Sequence, residues 1–189
     1  MKTAGILLAG GLSRRFGSPK AFASWQGRQF YERSIDAIGQ LCEELVIVTR
    51  QELVDRFPKE LHVVTDIEPF VGDGPLAGIL SGMEAIEADR YIVLPCDMPF
   101  TTEEVMRELI RRHHGGVTAV EVDGKRHPLC SIWDASVKKG LRNALENGQR
   151  RVMIVQENHG VRWIDGHELT KNARISFENV NTPDILERS

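Results

Sequence analysis

Short apolar runs alternate along this chain with longer stretches of helical periodicity. Residues 3–9 (TAGILLA) are uncharged and nearly continuous in hydrophobicity, the pattern of a strand covered on both faces. Similar runs predict strands over 45–49, 61–65, 91–94 and 161–164, separated by helical patterns over 30–41, 52–57, 135–146 and 152–157. Leu76, Ile79, Leu80, Met83 and Ile86 fall on one helical stripe, with Gly78, Gly82 and Ala85 allowing close packing, so this stripe belongs to the core. A helix over 102–113 has Thr101 or Thr102 to cap it and Glu103 and Glu104 at its positive end. Residues 117–122 alternate into the turn signal Asp123-Gly124 and return as a strand over 126–133, a hairpin that departs from strict alternation. An apolar return over 175–180 and a terminal helix from 183 complete the pattern. Strands and helices alternating in this way predict an α/β fold in one domain over 1–189, with a mostly parallel sheet and helices on both faces. There are no repeats, linkers or low-complexity segments.

The segment LAGGLSRRFGSPKA, residues 8–21, follows the first strand directly. Gly10, Gly11 and Gly17 permit positive φ and close backbone approach, and Arg14, Arg15 and Lys20 set three cations beside that backbone. Exposed amides and cations together suit a triphosphate. The loop is not a P-loop, because Gly17 is followed by Ser-Pro-Lys-Ala rather than Lys-Ser/Thr. Neither this segment nor GDGPLAG at 72–78, one residue too long, supplies G-x-G-x-x-G, which disfavours a dinucleotide dehydrogenase.

Composition narrows the class. A chain of 189 residues that is 41% hydrophobic and 27% charged suits one globular core. A net charge of −3 supplies no basic field for nucleic acid, so an anionic ligand must be held by locally placed cations. Cys42, Cys96 and Cys130 are widely spaced with no C-x-x-C, which argues against a disulfide framework or a zinc site and for a reduced cytoplasm. No run approaches a membrane span, and Lys2 is followed too soon by glycines for a signal-peptide core. Cys96 reads as a packing residue, since no histidine base is local to it. His62, His113, His114, His159 and His167 lack metal-ligand spacing.

In open α/β sheets ligands sit beyond the carboxyl ends of the strands. Four such positions carry chemistry: the loop after Ala9, Thr49-Arg50, Asp66 and Asp97. On spacing alone Asp97 is either a turn aspartate before Pro99 or a ligand for Mg²⁺, a hard ion that is often held by one or two carboxylates plus phosphate and water. Asp66 is likewise either a turn residue or a nucleotide contact.

L-A-G-G-x-S-x-R-x-G-x-x-K-A after a first strand resembles the opening of the nucleotidyltransferases related to molybdenum cofactor guanylyltransferase. PLAGI (75–79), PCDMPF (95–100), RHPL (126–129), RRVM (150–153) and NVNTPDIL (179–186) recur in that family in the same order, so the resemblance spans nearly the whole chain. It implies a Rossmann-like nucleotidyltransferase fold, with nucleotide in the first half and acceptor in the second. The implied GTP site comprises Leu8, Ala9, Gly10, Gly11, Lys20, Asp66 and Asp97. Lys20, Arg15 and Asp97 are the implied catalytic groups, with Asp97 holding Mg²⁺ and Arg15 the leaving phosphates. His127, Arg150, Arg151, Asn179 and Asn181 are the implied acceptor residues. Asn181-Thr182-Pro183 also reads as an ordinary helix start, and Asn181 as a second metal ligand. Cytidine-using relatives read L-A-A-G where this chain has Gly10, which leaves room for a purine. Thr49 and Arg50 stand where some relatives place an asparagine that touches the nucleotide.

The implied activity is transfer of GMP from GTP to the terminal phosphate of Mo-molybdopterin, releasing pyrophosphate. The acceptor phosphate is already anionic, so no covalent enzyme intermediate is expected. Partners are expected to be small-molecule substrates and, transiently, proteins of molybdenum cofactor synthesis or molybdoenzyme maturation. The alternatives are a CTP-dependent or sugar- or polyol-phosphate nucleotidyltransferase, and a non-catalytic nucleotide-binding module.

Overall fold

The structure, a computed structural model, describes residues 1–11 and 16–188. Among these described residues nine strands form: β1 Thr3–Leu8, β2 Ser24–Trp25, β3 Arg28–Gln29, β4 Glu44–Val48, β5 Val63–Val64, β6 Arg90–Pro95, β7 Val117–Val122, β8 Lys125–Asp134 and β9 Arg162–Asp165. Six α-helices accompany them: α1 Phe30–Ile38, α2 Pro75–Ala85, α3 Glu103–Arg111, α4 Lys138–Glu146, α5 Val152–Asn158 and α6 Ala173–Ser176. Seven strands make one sheet in the order β5-β4-β1-β6-β8-β7-β9. Every neighbouring pair is parallel except those involving β8, which runs against both β6 and β7. The carboxyl ends of β4, β1, β6, β7 and β9 therefore share one edge.

Successive residues of the central strands enter opposite layers, which is why those strands read as continuous apolar runs. Tyr91 and Val93 pack with Ile6, Leu76, Leu80 and Leu141 on the layer of α2 and α4. Ile92 and Leu94 join Ile38, Met106 and Leu109 on the layer of α1 and α3. Helix α2 lies unusually close to β1. A Cβ built on Gly82 would stand 2.7–2.8 Å from three atoms of Ile6, so glycine is what admits this approach, and one on Gly78 would stand 2.9 Å from Leu8 Cδ2, which the leucine tip would have to vacate.

Several elements differ from the sequence expectation. The strand expected over 61–65 keeps only Val63–Val64, because Leu61 N–H closes a turn onto Pro58 C=O. The stretch expected as a helix over 52–57 is a 3₁₀ turn, Gln51–Arg56. The β2–β3 hairpin was not anticipated; its turn is Gln26-Gly27, both at positive φ, the conformation that two-residue hairpins favour. Residues 175–180 add no strand: α6 ends at Ser176, and Phe177 and Val180 are buried singly. The irregular β7–β8 hairpin carries a register break, with Ala119 opposite Ser131 but Val120 opposite His127, so Pro128, Leu129 and Cys130 bulge out. Of the two threonines before α3, Thr102 caps the helix by accepting from Val105 N–H, while Thr101 Oγ1 donates to Ser176 C=O at 2.8 Å. Among the described residues no helix is long and apolar enough to cross a membrane.

Candidate active site

A cavity of about 450 Å³ opens at the carboxyl edge of β4, β1 and β6. Its floor is the chain leaving β1: Leu8, Ala9, Gly10 and Gly11. This segment is fixed from both sides. Ala9 N–H donates to Val48 C=O at 2.8 Å, Cys96 N–H donates to Leu8 C=O at 3.0 Å, and Thr49 Oγ1 donates to Ala9 C=O at 3.1 Å. Gly10 and Gly11 do not adopt positive φ; of the three loop glycines only Gly17 does, at 78°. What Gly10 supplies is space: an added Cβ would meet Thr49 Cα at 3.7 Å and Arg50 Cγ at 3.8 Å, ordinary contacts, so the restriction would fall on a ligand rather than on the fold.

Lys20, carried by the turn after the loop, and Asp97, just past β6, lie on the same wall although 77 residues separate them. Lys20 Nζ is 3.3 Å from Asp97 Oδ2 and donates to Asn181 Oδ1 at 2.8 Å. The second carboxylate oxygen of Asp97 accepts from Asn179 Nδ2 at 3.1 Å, and Asp97 C=O accepts from Val180 N–H at 2.8 Å. The segment after α6 thus docks against the end of β6 and brings two amides to the Lys20–Asp97 pair. Asn179 also lines the cavity, and the sequence carried no signal that it would bond Asp97.

Asp66 lines the opposite end, where Gly72 N–H donates to its Oδ2 at 3.1 Å. Burial, more than that hydrogen bond offsets, raises its pKa, and the Asp73 charge adds to the rise. A carboxyl whose folded pKa is raised holds its proton more tightly folded than unfolded. The stability it contributes is complete below about pH 3.9, the unfolded value, and is lost as pH rises through the folded value. Asp66→Asn is accordingly expected to melt about 1–3 °C above the parent at pH 7 and level with it near pH 3.5, as read by calorimetric melts.

The remaining expected residues fall into two groups. His127 is buried and is not part of the cavity wall; burial first and the Lys125 charge second push its pKa down. Arg150 sits beyond the rim, with Nη2 2.6 Å from Asp73 Oδ2 and Nη1 donating to Leu145 C=O, and Arg151 is exposed where α5 begins. Arg14 and Arg15 lie outside the described residues. Sequence reasoning missed Leu129, which the bulge in β8 delivers to the wall, and the start of α2, whose Gly74, Pro75 and Gly78 face the cavity. The GDGPLAG run was visible as glycine-rich, but which strand it packs on was not. Cys96 is buried and its thiol is pushed up by burial, so it stays protonated at neutral pH.

The chain matches a family profile described as the MobA-like NTP transferase domain over residues 5–161. A probable molybdenum cofactor guanylyltransferase of Bacillus cereus (strain ATCC 10987 / NRS 248) is 37% identical over 188 residues, covering 97% of this chain and 93% of that relative. Its counterpart of the same description in Bacillus anthracis (strain CDC 684 / NRRL 3495) is 37% identical over 187 residues, with the same coverage. Among solved structures, molybdopterin-guanine dinucleotide biosynthesis protein A from Archaeoglobus fulgidus superposes with a TM-score of 0.81 at 27% identity, over 98% of this chain and 95% of that one. With its mostly parallel sheet, its glycine loop after β1 and these relatives over nearly its full length, the chain belongs to the MobA-like NTP transferase family.

Proposed function

We propose that this protein transfers GMP from GTP to the terminal phosphate of Mo-molybdopterin, forming the guanine dinucleotide cofactor and releasing pyrophosphate. The observation that carries the site is the meeting of Lys20 and Asp97 at 3.3 Å on the wall of a cavity large enough for a nucleotide. The activity itself follows the relatives. A single domain serves both substrates in this reading, nucleotide over β4, β1 and β6 and acceptor toward β8 and the segment after α6, and the enzyme works in the cytoplasm.

An oxygen of the acceptor phosphate attacks the α-phosphorus of GTP; the new O–P bond forms as the bond from that phosphorus to the α,β-bridging oxygen breaks, and the electron pair leaves on pyrophosphate. No side chain needs to act as nucleophile. Leu8, Ala9 and Gly10 hold the base and ribose against the backbone, with Asp66 at that end. Lys20, together with Arg15, neutralises charge growing on the β- and γ-phosphates, and such preorganised charge is commonly the largest catalytic contribution. Positioning supplies much of the rest. The donor set suits Mg²⁺. Asp97 and Asn181 offer hard oxygens, the kind of ligand that an ion completing its shell with phosphate and water takes from a protein. When bound there, Mg²⁺ polarises the phosphate oxygens as a Lewis acid. Asn179 and Asn181 face the acceptor, Arg150 and Arg151 stand at its outer side, and His127 backs the same half of the site as a buried residue. Handover to molybdoenzyme-maturation proteins fits the same reading.

The test is pyrophosphate release from each of the four triphosphates with Mg²⁺ and Mo-molybdopterin. GTP is expected to exceed CTP by about tenfold or more in kcat/KM. Preference for CTP would assign the cytidylyl reaction instead, and calorimetric GTP binding with no pyrophosphate from any pair would assign a non-catalytic module.

A further inference from the structure

Arg50 stands at the carboxyl end of β4, on the cavity wall and next to the space left by Gly10. Its backbone is held firmly. The preceding Thr49 is tied to Ala9 and to Val64, and Arg50 C=O accepts from Leu53 N–H at 2.9 Å at the start of the 3₁₀ turn. Its guanidinium rests on Glu52, Nη1 to Oε1 at 2.5 Å, with the side chain 29% exposed. In this pose Nε is buried and has no hydrogen-bond partner among the described residues. Buried N–H groups are nearly always paired, so this pose leaves Arg50 short of an acceptor that a ligand can supply once the guanidinium turns off Glu52.

Position decides which part of the ligand that is. β4 and β6 flank β1, so the ends bearing Arg50 and Asp97 are two strand spacings, roughly 10 Å, apart. Lys20 and Asn181 gather at the Asp97 end, which puts Arg50 at the other end of a nucleotide stretched across the cavity. Resting on the function proposed above, we infer that Arg50 reads the guanine base by donating to its O6 and N7. The match is specific. Guanine presents two adjacent acceptors on that edge, adenine replaces one with an amino donor, and cytosine offers an amino group that an arginine cannot accept from. Gly10 provides the room, and Arg50 provides the discrimination that the removal of one methyl group cannot.

The experiment compares kcat/KM for GTP and 7-deaza-GTP, which lacks the N7 acceptor, in the wild-type protein, Arg50→Ala and Arg50→Lys. Wild type is expected to lose about tenfold on 7-deaza-GTP, Arg50→Ala to fall about tenfold on GTP and to treat the two nucleotides within about twofold, and Arg50→Lys to fall between. Equal use of both nucleotides by wild type, a measurement that needs no variant, overturns the inference. So does an Arg50→Ala protein that keeps the preference or slows equally on both, which would mark a phosphate contact or a structural role. Should GTP give no pyrophosphate at all, the proposed reaction fails, while the same comparison made by calorimetric binding still decides Arg50.

Discussion

Alanine at position 97 is expected to lower kcat for Mg²⁺-dependent pyrophosphate release by about 10³-fold or more while the protein still folds. Asp97 is the one carboxylate among the described residues of the Lys20–Asn179–Asn181 cluster, so its loss removes both the hard anionic oxygen available to a divalent ion and the negative charge paired with Lys20. The fold should survive because the carboxylate lies past the end of β6, is 24% exposed and packs into no core layer. The strand itself is anchored by its pairing with β1 and β8. Asp97→Asn separates charge from shape. It keeps an oxygen for Asn179 to donate to and should melt near the parent, yet remain as inactive as the alanine variant. Steady-state kinetics across a Mg²⁺ titration, with melts in parallel, check both; an Asp97→Ala protein with wild-type turnover would remove Asp97 from the reaction.

Lys20→Ala is the second large effect, a fall in kcat of about 10²–10³-fold with a smaller rise in KM for GTP. The asymmetry follows from where negative charge grows. In the proposed reading GTP is also held through its base and ribose by the backbone after β1, whereas the charge that develops on departing pyrophosphate needs a nearby cation. Lys20→Arg should not rescue it. The lysine is a compact point charge, 13% exposed and wedged between Asp97 and Asn181, and the broader planar guanidinium cannot enter the same gap. Single-turnover measurements, which isolate the chemical step, check the prediction; turnover within threefold of wild type in Lys20→Ala would overturn it.

Half of this site was legible from the chain because its grammar is local. A residue that follows an apolar strand in an α/β pattern falls at the ligand edge whichever neighbours the strand acquires, so Leu8 to Gly11, Asp66 and Asp97 could be named without knowing the sheet order. The other half depends on distant pairing. Asn179 bonds Asp97 across 82 residues, Leu129 reaches the wall only because β8 bulges opposite Val120, and Arg150 pairs with Asp73 of the loop before α2, far from it in sequence. Nothing in the local pattern of any of these residues announces its partner. Gly10 shows a subtler limit: the residue type allowed positive φ or empty space, and only the backbone shows that space is what is used. The short β2–β3 hairpin had its signal in Gln26-Gly27 but too few flanking residues to be recognised as strands.

The docking of the segment after α6 onto the end of β6 gives the Lys20–Asp97 pair a second, separable support. Asn179, Val180 and Asn181 touch the pair without belonging to the sheet, so local opening of that one segment would strip Lys20 and Asp97 of these partners while β1, β4 and β6 stay paired.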